Sequence, residues 1–261
     1  MSLHAESQGT GEQLVMIHGW GMHGGLWDGV VPQLAKQLTV HCVDLPGHGY
    51  SNFTSHAAGQ SGLELLDSIV DTLSAQFTGP LNVCGWSLGG LVALRWAQLA
   101  PQQLQRLVVV ASTPCFAERE DWLFGVTGET LQQFSTDLER DHVAMLRRFL
   151  TLLVRGGTNE RELLADLRTR LFNHGQPDIN ALRDGLEILR DVDFRAELPC
   201  IAQPALLIAG ECDKLTPPEA SVAMAKKLPN ARMVKISGAA HVPFLSEPDF
   251  FVEQITDFLH G

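Results

Sequence analysis

Six short apolar runs rich in Val, Ile and Leu punctuate the chain: Leu14–Ile17, Val40–Val43, Leu81–Cys84, Leu107–Val110, Ala205–Ala209 and Met233–Ile236. Helical patterns separate most of them, over Leu26–Leu38, Ser61–Phe77, Leu91–Leu99 and Pro218–Leu228, and Phe250–Leu259 closes the chain. Strands that alternate with helices form a mostly parallel sheet covered on both faces. The expected class is α/β, with ligands bound beyond the carboxyl ends of the strands.

One connection breaks this rhythm. From Thr113 to about Pro204 no core strand is recognisable, whereas strand–helix connections usually take ~2–6 residues. Helical patterns fill the gap at Leu131–Leu138, His142–Leu153, Glu160–Phe172 and Asn180–Leu189, punctuated by Gly156-Gly157 and Gly175-Gln176-Pro177. Residues 1–112 and 205–261 are expected to form the core, and 113–204 a helical cap inserted over the sheet.

The connection after Leu81–Cys84 carries the chemistry. Gly85-Trp86-Ser87-Leu88-Gly89 is a G-x-S-x-G sequence between an apolar strand and a helical pattern. A serine hydroxyl is a weak nucleophile unless it is exposed, fixed and next to a base. A tight strand-to-helix turn at the top of a sheet provides that setting, with glycines on either side of Ser87 leaving room for it.

A serine nucleophile needs a histidine to take its proton and a carboxylate to hold that histidine in the right tautomer. In sheets of this kind the chain order is Ser, acid, His. Of the ten histidines, His241 alone follows the last apolar strand on a loop, Ser237-Gly238-Ala239-Ala240-His241. His18, His23, His41, His48 and His56 precede Ser87, His142 and His174 fall in the expected cap, and His260 is terminal. Asp213 follows the run Ala205–Ala209 and is the candidate acid, with Glu211 two residues earlier as the alternative.

The oxyanion of an acyl-transfer reaction needs two fixed N–H donors. One is expected from Leu88, directly after the nucleophile, and the other from Trp20 in His18-Gly19-Trp20-Gly21, on the loop after the first apolar run. The same loop supports a rival reading. Gly19-Trp20-Gly21-Met22-His23-Gly24 matches G-x-G-x-x-G, and Asp44 stands where the ribose-binding acid of a dinucleotide-binding oxidoreductase would. Bulky Trp20 and His23 argue against it, because pyrophosphate must approach bare backbone there. That reading also leaves Ser87, Asp213 and His241 without a purpose.

The net charge of −11 argues against a nucleic-acid partner. No run is long enough to span a membrane, and no signal-peptide layout opens the chain. Five cysteines without close pairs, and neither C-x-x-C nor H-E-x-x-H, point to a reducing cytoplasm and to no bound metal or cofactor. A monomer is expected. Between Arg140 and Arg170 seven arginines face four acids, a local positive surplus on an acidic protein. Such a segment either steers an acidic partner or forms a solvated helix face with internal ion pairs.

With HGWG, DLPGHGYS, GWSLGG and the late Asp and His in this order, the chain resembles the α/β-hydrolase superfamily along nearly its whole length. HGWGMHGGLWDGVV, ASTPCF, RRFLTLL, GLEILRDVDFR and AAHVPF are similar to the pimeloyl-acyl-carrier-protein methyl ester carboxylesterases of biotin synthesis. The resemblance implies an α/β-hydrolase fold with Ser87, Asp213 and His241 as a triad, and Trp20 and Leu88 around the ester. It also implies that Phe149, Leu150, Thr151, Leu152 and Leu153 line an acyl channel. An acyl-carrier protein bearing a pimeloyl methyl ester would be the partner, besides small esters, with Arg148 and Arg161 at matching positions and Arg147 and Arg155 nearby. Ala144 and Ala165 stand where that family has further arginines, and Leu153 replaces a polar residue. General esterases, lactonases and carbon–carbon bond hydrolases share the triad.

Overall fold

The apolar runs assemble into one sheet. The computed structural model describes residues 3–53 and 59–261, so His56 lies outside it. In chain order the strands are β1 (Ala5–Gln8), β2 (Glu12–Ile17), β3 (Leu38–Val43), β4 (Leu81–Trp86), β5 (Leu104–Val110), β6 (Ala205–Gly210) and β7 (Ala231–Ile236). They lie side by side as β1-β3-β2-β4-β5-β6-β7, all parallel except β1, which runs antiparallel to β3. The central strands β4 and β6 are buried at every position, as parallel strands covered on both faces must be.

The order contains a reversal that locates the site. The chain passes from β2 to β3 on one side, then crosses to β4 on the other side of β2. Crevices open outside the carboxyl ends of the strands at such a switch point. β2 and β4 pair from Leu14–Asn82 to Ile17–Gly85, which brings the loop after Ile17 level with the residues that follow Gly85.

The helices are α1 (Val31–Leu34), α2 (Gly62–Gln76), α3 (Leu88–Leu99), α4 (Gly128–Val154), α5 (Glu160–Arg170), α6 (Ile179–Asp191), α7 (Pro218–Ala225), α8 (Pro243–Ser246) and α9 (Pro248–His260). A capping box starts α2: Ser61 N–H donates to Glu64 and Glu64 N–H to the Ser61 hydroxyl. The expected helix over Leu26–Leu38 does not form as one element. Gly24–Gly29 makes a 3-10 turn, α1 is a single turn with proline in it, and Leu38 already begins β3. Glycines and a proline interrupt what the apolar spacing alone suggests.

Between β5 and β6 the chain adds no strand to the sheet and instead builds α4, α5 and α6. α4 packs on both α5 and α6, and α6 packs on α2. α4 breaks at Asp141, whose backbone is extended at φ −163° and ψ 90° and whose carboxylate accepts the Ala144 N–H at 2.9 Å. Asp141 therefore acts as a cap for the second half. No helix among the described residues is long and apolar enough to cross a membrane.

Candidate active site

Ser87 occupies a one-residue turn between β4 and α3 with φ 55° and ψ −118°. A non-glycine residue there costs roughly 1–3 kcal/mol and persists only when its surroundings hold it. Three hydrogen bonds do so. Ser87 N–H donates to the Val110 carbonyl at 2.9 Å, and the Ser87 carbonyl accepts from Gly90 N–H at 2.9 Å and the Ser112 hydroxyl at 2.7 Å. The flanking glycines are needed for close approach. A Cβ on Gly85 would lie 2.1 Å from the Gly89 carbonyl oxygen, and one on Gly89 2.4 Å from that of Ile17. The Ser87 side chain does not cap α3, so its hydroxyl is free for another partner.

That partner is His241, whose Nε2 lies 2.9 Å from Ser87 Oγ. Its Nδ1 lies 2.7 Å from Asp213 Oδ2. Asp213 is 2% exposed and His241 1% exposed, and a buried carboxylate needs donors around it. Oδ1 accepts the N–H groups of Leu215 at 2.8 Å and Thr216 at 3.0 Å, and Oδ2 also accepts the Thr216 hydroxyl at 2.8 Å. The His241 backbone is held as firmly: its N–H donates to the Leu153 carbonyl at 3.0 Å, and its carbonyl accepts Trp86 Nε1–H at 2.8 Å. Glu211, the alternative acid, takes other partners. Its carboxylate accepts from the Ser237 hydroxyl and Gly238 N–H and pairs with Lys235, steadying the loop that leads to His241.

Leu88 opens α3 right after Ser87, where N–H groups have no partner within the helix and the helix dipole favours negative charge. The Trp20 loop lies against the same turn, since a Cβ on Gly19 would be 3.0 Å from Ser87 Cβ. Among the described residues neither the Trp20 nor the Leu88 N–H has an acceptor. Two N–H groups flanking a hydroxyl that is bonded to an imidazole are the parts of an acyl-transfer site.

His18, at the start of this loop, is fully buried. Its Nδ1 donates to the Gly19 carbonyl at 2.7 Å while Nε2 accepts Leu45 N–H at 3.0 Å. This pattern requires the neutral ring, and burial, reinforced by neighbouring His48, pushes its pKa down to about 3.

An apolar cavity opens on Ser87 and His241, and apolar walls around a few convergent polar groups are what small-molecule sites present. Trp20 lines it, held by Nε1–H donation to the Leu182 carbonyl at 2.9 Å and by an edge contact with Phe149 at 5.1 Å. Of the run Phe149–Leu153 only Phe149 lines this cavity. Leu150 and Leu153 are fully buried in the core, and Thr151 and Leu152 are partly exposed away from it. Five consecutive helical residues cannot share one face, so the expected channel segment contributes one side chain. The remaining wall comes from residues the sequence did not single out: Phe116, Leu131 and Phe134, then Leu186, Leu189 and Leu215. The Leu88 side chain points into a separate cavity with Leu45, Leu65 and Ile188. Thr216 was also missed, although a carboxylate two and three residues before free N–H groups is a recognisable turn signal.

The dinucleotide reading fails on geometry. Gly24 N–H, which a pyrophosphate would need, donates to Asp44 Oδ1 at 2.6 Å, and Asp44 Oδ2 accepts Tyr50 N–H at 2.9 Å. Asp44 is 1% exposed, so it closes the loop internally. The arginines Arg147, Arg148, Arg155 and Arg161 are all exposed. Arg148 pairs with Asp137 at 2.9 Å, whereas Arg147, Arg155 and Arg161 have no ion-pair partner among the described residues.

The family described as alpha/beta hydrolase fold matches residues 13–248. The chain is 45% identical over 251 residues to the pimeloyl-[acyl-carrier protein] methyl ester esterase of Nitrosomonas europaea, covering 96% of this chain and 97% of that protein. It is 39% identical over 257 residues to the protein of the same name from Stenotrophomonas maltophilia, covering 98% and 96%. Among solved structures, an esterase from Exiguobacterium antarcticum superposes with a TM-score of 0.88 over 99% of this chain and 96% of that one. At 21% identity this likeness speaks to fold alone.

Proposed function

The chain belongs to the α/β-hydrolase family, and from that premise we propose that it is a serine carboxylesterase hydrolysing the methyl ester of pimeloyl-acyl-carrier protein to methanol and the free carboxylate. The observation that carries the chemistry is the hydrogen-bonded chain Ser87–His241–Asp213, at 2.9 and 2.7 Å, facing an apolar cavity. The substrate rests on the full-length similarity to esterases of that name. In chemical terms, Ser87 Oγ attacks the ester carbonyl as His241 Nε2 takes its proton, and Asp213 holds the Nδ1–H. The oxyanion collects on the Trp20 and Leu88 N–H groups. Collapse expels methoxide, which leaves as methanol with the proton from His241. A water, deprotonated by the same nitrogen, then adds to the acyl-serine, and the acid product departs as Ser87 regains its proton.

The cavity suits this substrate class. Trp20, Phe149 and Leu186 offer apolar surface to a methylene chain and no charge to pair with a polar group. Residues 113–204 serve as the cap, supplying most of the cavity wall. The exposed arginines on α4 and α5 give an acidic carrier protein a surface of opposite sign, which raises encounter rate more than affinity.

The deciding experiment is turnover of pimeloyl-acyl-carrier-protein methyl ester beside short nitrophenyl esters, with a fluorophosphonate probe on wild type and Ser87→Ala. The proposal expects labelling lost in Ser87→Ala and clear preference for the carrier-linked ester. Equal efficiency on both ester classes makes the protein a general carboxylesterase, and absence of labelling removes the nucleophile.

A further inference from the structure

A second group of side chains, unused in the hydrolytic chemistry, converges beside the Trp20 loop. His23 ends that loop, Asp44 follows β3 and His174 follows α5, and their ligand atoms all lie within 4.8 Å of one another. His23 is 3% exposed. Its Nε2–H donates to the Arg170 carbonyl at 2.9 Å, which fixes the tautomer and leaves a lone pair on Nδ1. That Nδ1 is buried with no hydrogen-bond partner among the described residues, and so is Nδ1 of His174. His174 Nδ1 lies 3.6 Å from Asp44 Oδ2, too far for a hydrogen bond. The His174 ring is stacked between His23, with centroids 4.2 Å apart, and Tyr50, at 4.5 Å. Buried ring nitrogens without a hydrogen-bond partner are unfavourable, and His174 Nδ1 has only the Asp44 carboxylate, at ion-pair distance.

We propose that His23 Nδ1, His174 Nδ1 and an Asp44 carboxylate oxygen form a binding site for a divalent first-row transition ion, Zn²⁺ being the representative case. Two imidazoles and one carboxylate make the donor set such ions prefer, and Mg²⁺ and Ca²⁺ prefer all-oxygen sites. The Nε2–H···Arg170 contact of His23 matches that of a ligating histidine, which donates its second ring N–H to a backbone carbonyl or carboxylate. Asp44 is fixed in turn by the N–H groups of Gly24 and Tyr50. Ligand atoms on a tetrahedral Zn²⁺ lie ~3.4 Å apart, so the three atoms, now within 4.8 Å of one another, close by up to about 1.4 Å to assemble the site. The three ligands come from distant segments, which is why no close-spaced metal motif marks them in the sequence. His174 belongs to the helical insertion and His23 to the core, so the ion would tie one to the other at the loop bearing Trp20.

The test uses the tag-free full chain, stripped with chelator and titrated with Zn²⁺, with thermal melting and bound-metal analysis as readouts. The expected result is one ion per chain and a melting temperature raised by roughly 5–10 °C at a hundredfold excess over Kd. His174→Gln and His23→Asn should each weaken binding by at least ~10-fold while the metal-free proteins still turn over esters. Co²⁺ should give visible absorption bands of a nitrogen-ligated site in wild type that His174→Gln loses, a readout independent of any effect on stability. Absence of saturable binding overturns the proposal. So does binding that survives both substitutions, or binding lost in His241→Ala but kept in His174→Gln, which would assign the ion to the hydrolytic residues.

Discussion

The N–H of His241 donates to the carbonyl of Leu153, the penultimate residue of α4, at 3.0 Å. The histidine whose ring faces Ser87 is thereby hydrogen-bonded through its main chain to the helical insertion. Ring position and insertion position are therefore coupled, Thr158 N–H adding a second bond to the Gly238 carbonyl of the same loop at 3.0 Å, with Trp86 Nε1–H gripping the His241 carbonyl from the core side.

Asp213 orients the imidazole without forming a bond to substrate, so Asp213→Asn should disturb the tautomer more than the architecture. We expect kcat to fall by about 10⁴ with a melting curve close to wild type. Steady-state kinetics on a nitrophenyl ester, read beside differential scanning calorimetry, checks both halves.

Thr216 donates its hydroxyl to the same Asp213 oxygen that faces His241 Nδ1. Thr216→Val keeps the volume and removes the donor. A fall in kcat of roughly 10- to 100-fold is expected, in line with the ~1.5–3 kcal/mol of a hydrogen bond to a charged group, with KM nearly unchanged. A purely structural role would instead lower the melting temperature and leave kcat per folded molecule intact.

Acid should destabilise the protein through its buried histidines. His18 has a folded pKa of about 3 against 6.5 when unfolded, because of burial and the neighbouring His48 ring. Between those values the unfolded chain binds a proton that the native state refuses. The stabilisation is complete above pH 6.5 and drains away as pH falls toward 3, by up to ~1.4 kcal/mol per pH unit. His23 and His48, also lowered by burial, steepen the upper part of that window. Urea unfolding from pH 7 to pH 4 should reveal this slope, and His18→Gln should remove about one proton's share of it.

Arg161 is exposed with no ion-pair partner among the described residues, and Arg148 is exposed though paired with Asp137. Replacing both with Glu should cut kcat/KM for the carrier-linked ester by about tenfold at low salt, an effect that shrinks as ionic strength rises. Turnover of a free nitrophenyl ester should stay at the wild-type value. An unchanged rate on the carrier-linked ester would remove these arginines from carrier recognition while leaving the ester chemistry untouched.

What could be read from the sequence was whatever local chemistry dictates. The apolar runs became β2 to β7: a strand buried on both faces, as β4 and β6 are, has to be apolar, and edge strand β7 was legible from its Val and Ile although only Ile236 is buried. The glycines around Ser87 marked a turn too tight for any Cβ, and the chain order singled out Asp213 and His241. β1 stayed hidden because three of its four residues are exposed and carry no alternating pattern. Leu26–Leu38 read as helix because apolar spacing cannot register how strongly Gly29 and Pro32 resist one. The cavity wall was the least legible part: α4 and α6 each bury an apolar face, and only their mutual packing decides that Phe134, Phe149 and Leu186 look at Ser87 while Leu150 does not. The His23–Asp44–His174 grouping was equally invisible, since it exists only after the sheet and the insertion meet.

The left-handed backbone at Ser87 makes durability and turnover antagonists. A residue that must be held bent before it can react is a standing invitation for mutation to relax it, and glycine would fit that bend with ease. The sturdier descendant would fold more readily and cleave nothing, so only continued demand for the reaction keeps the turn under load.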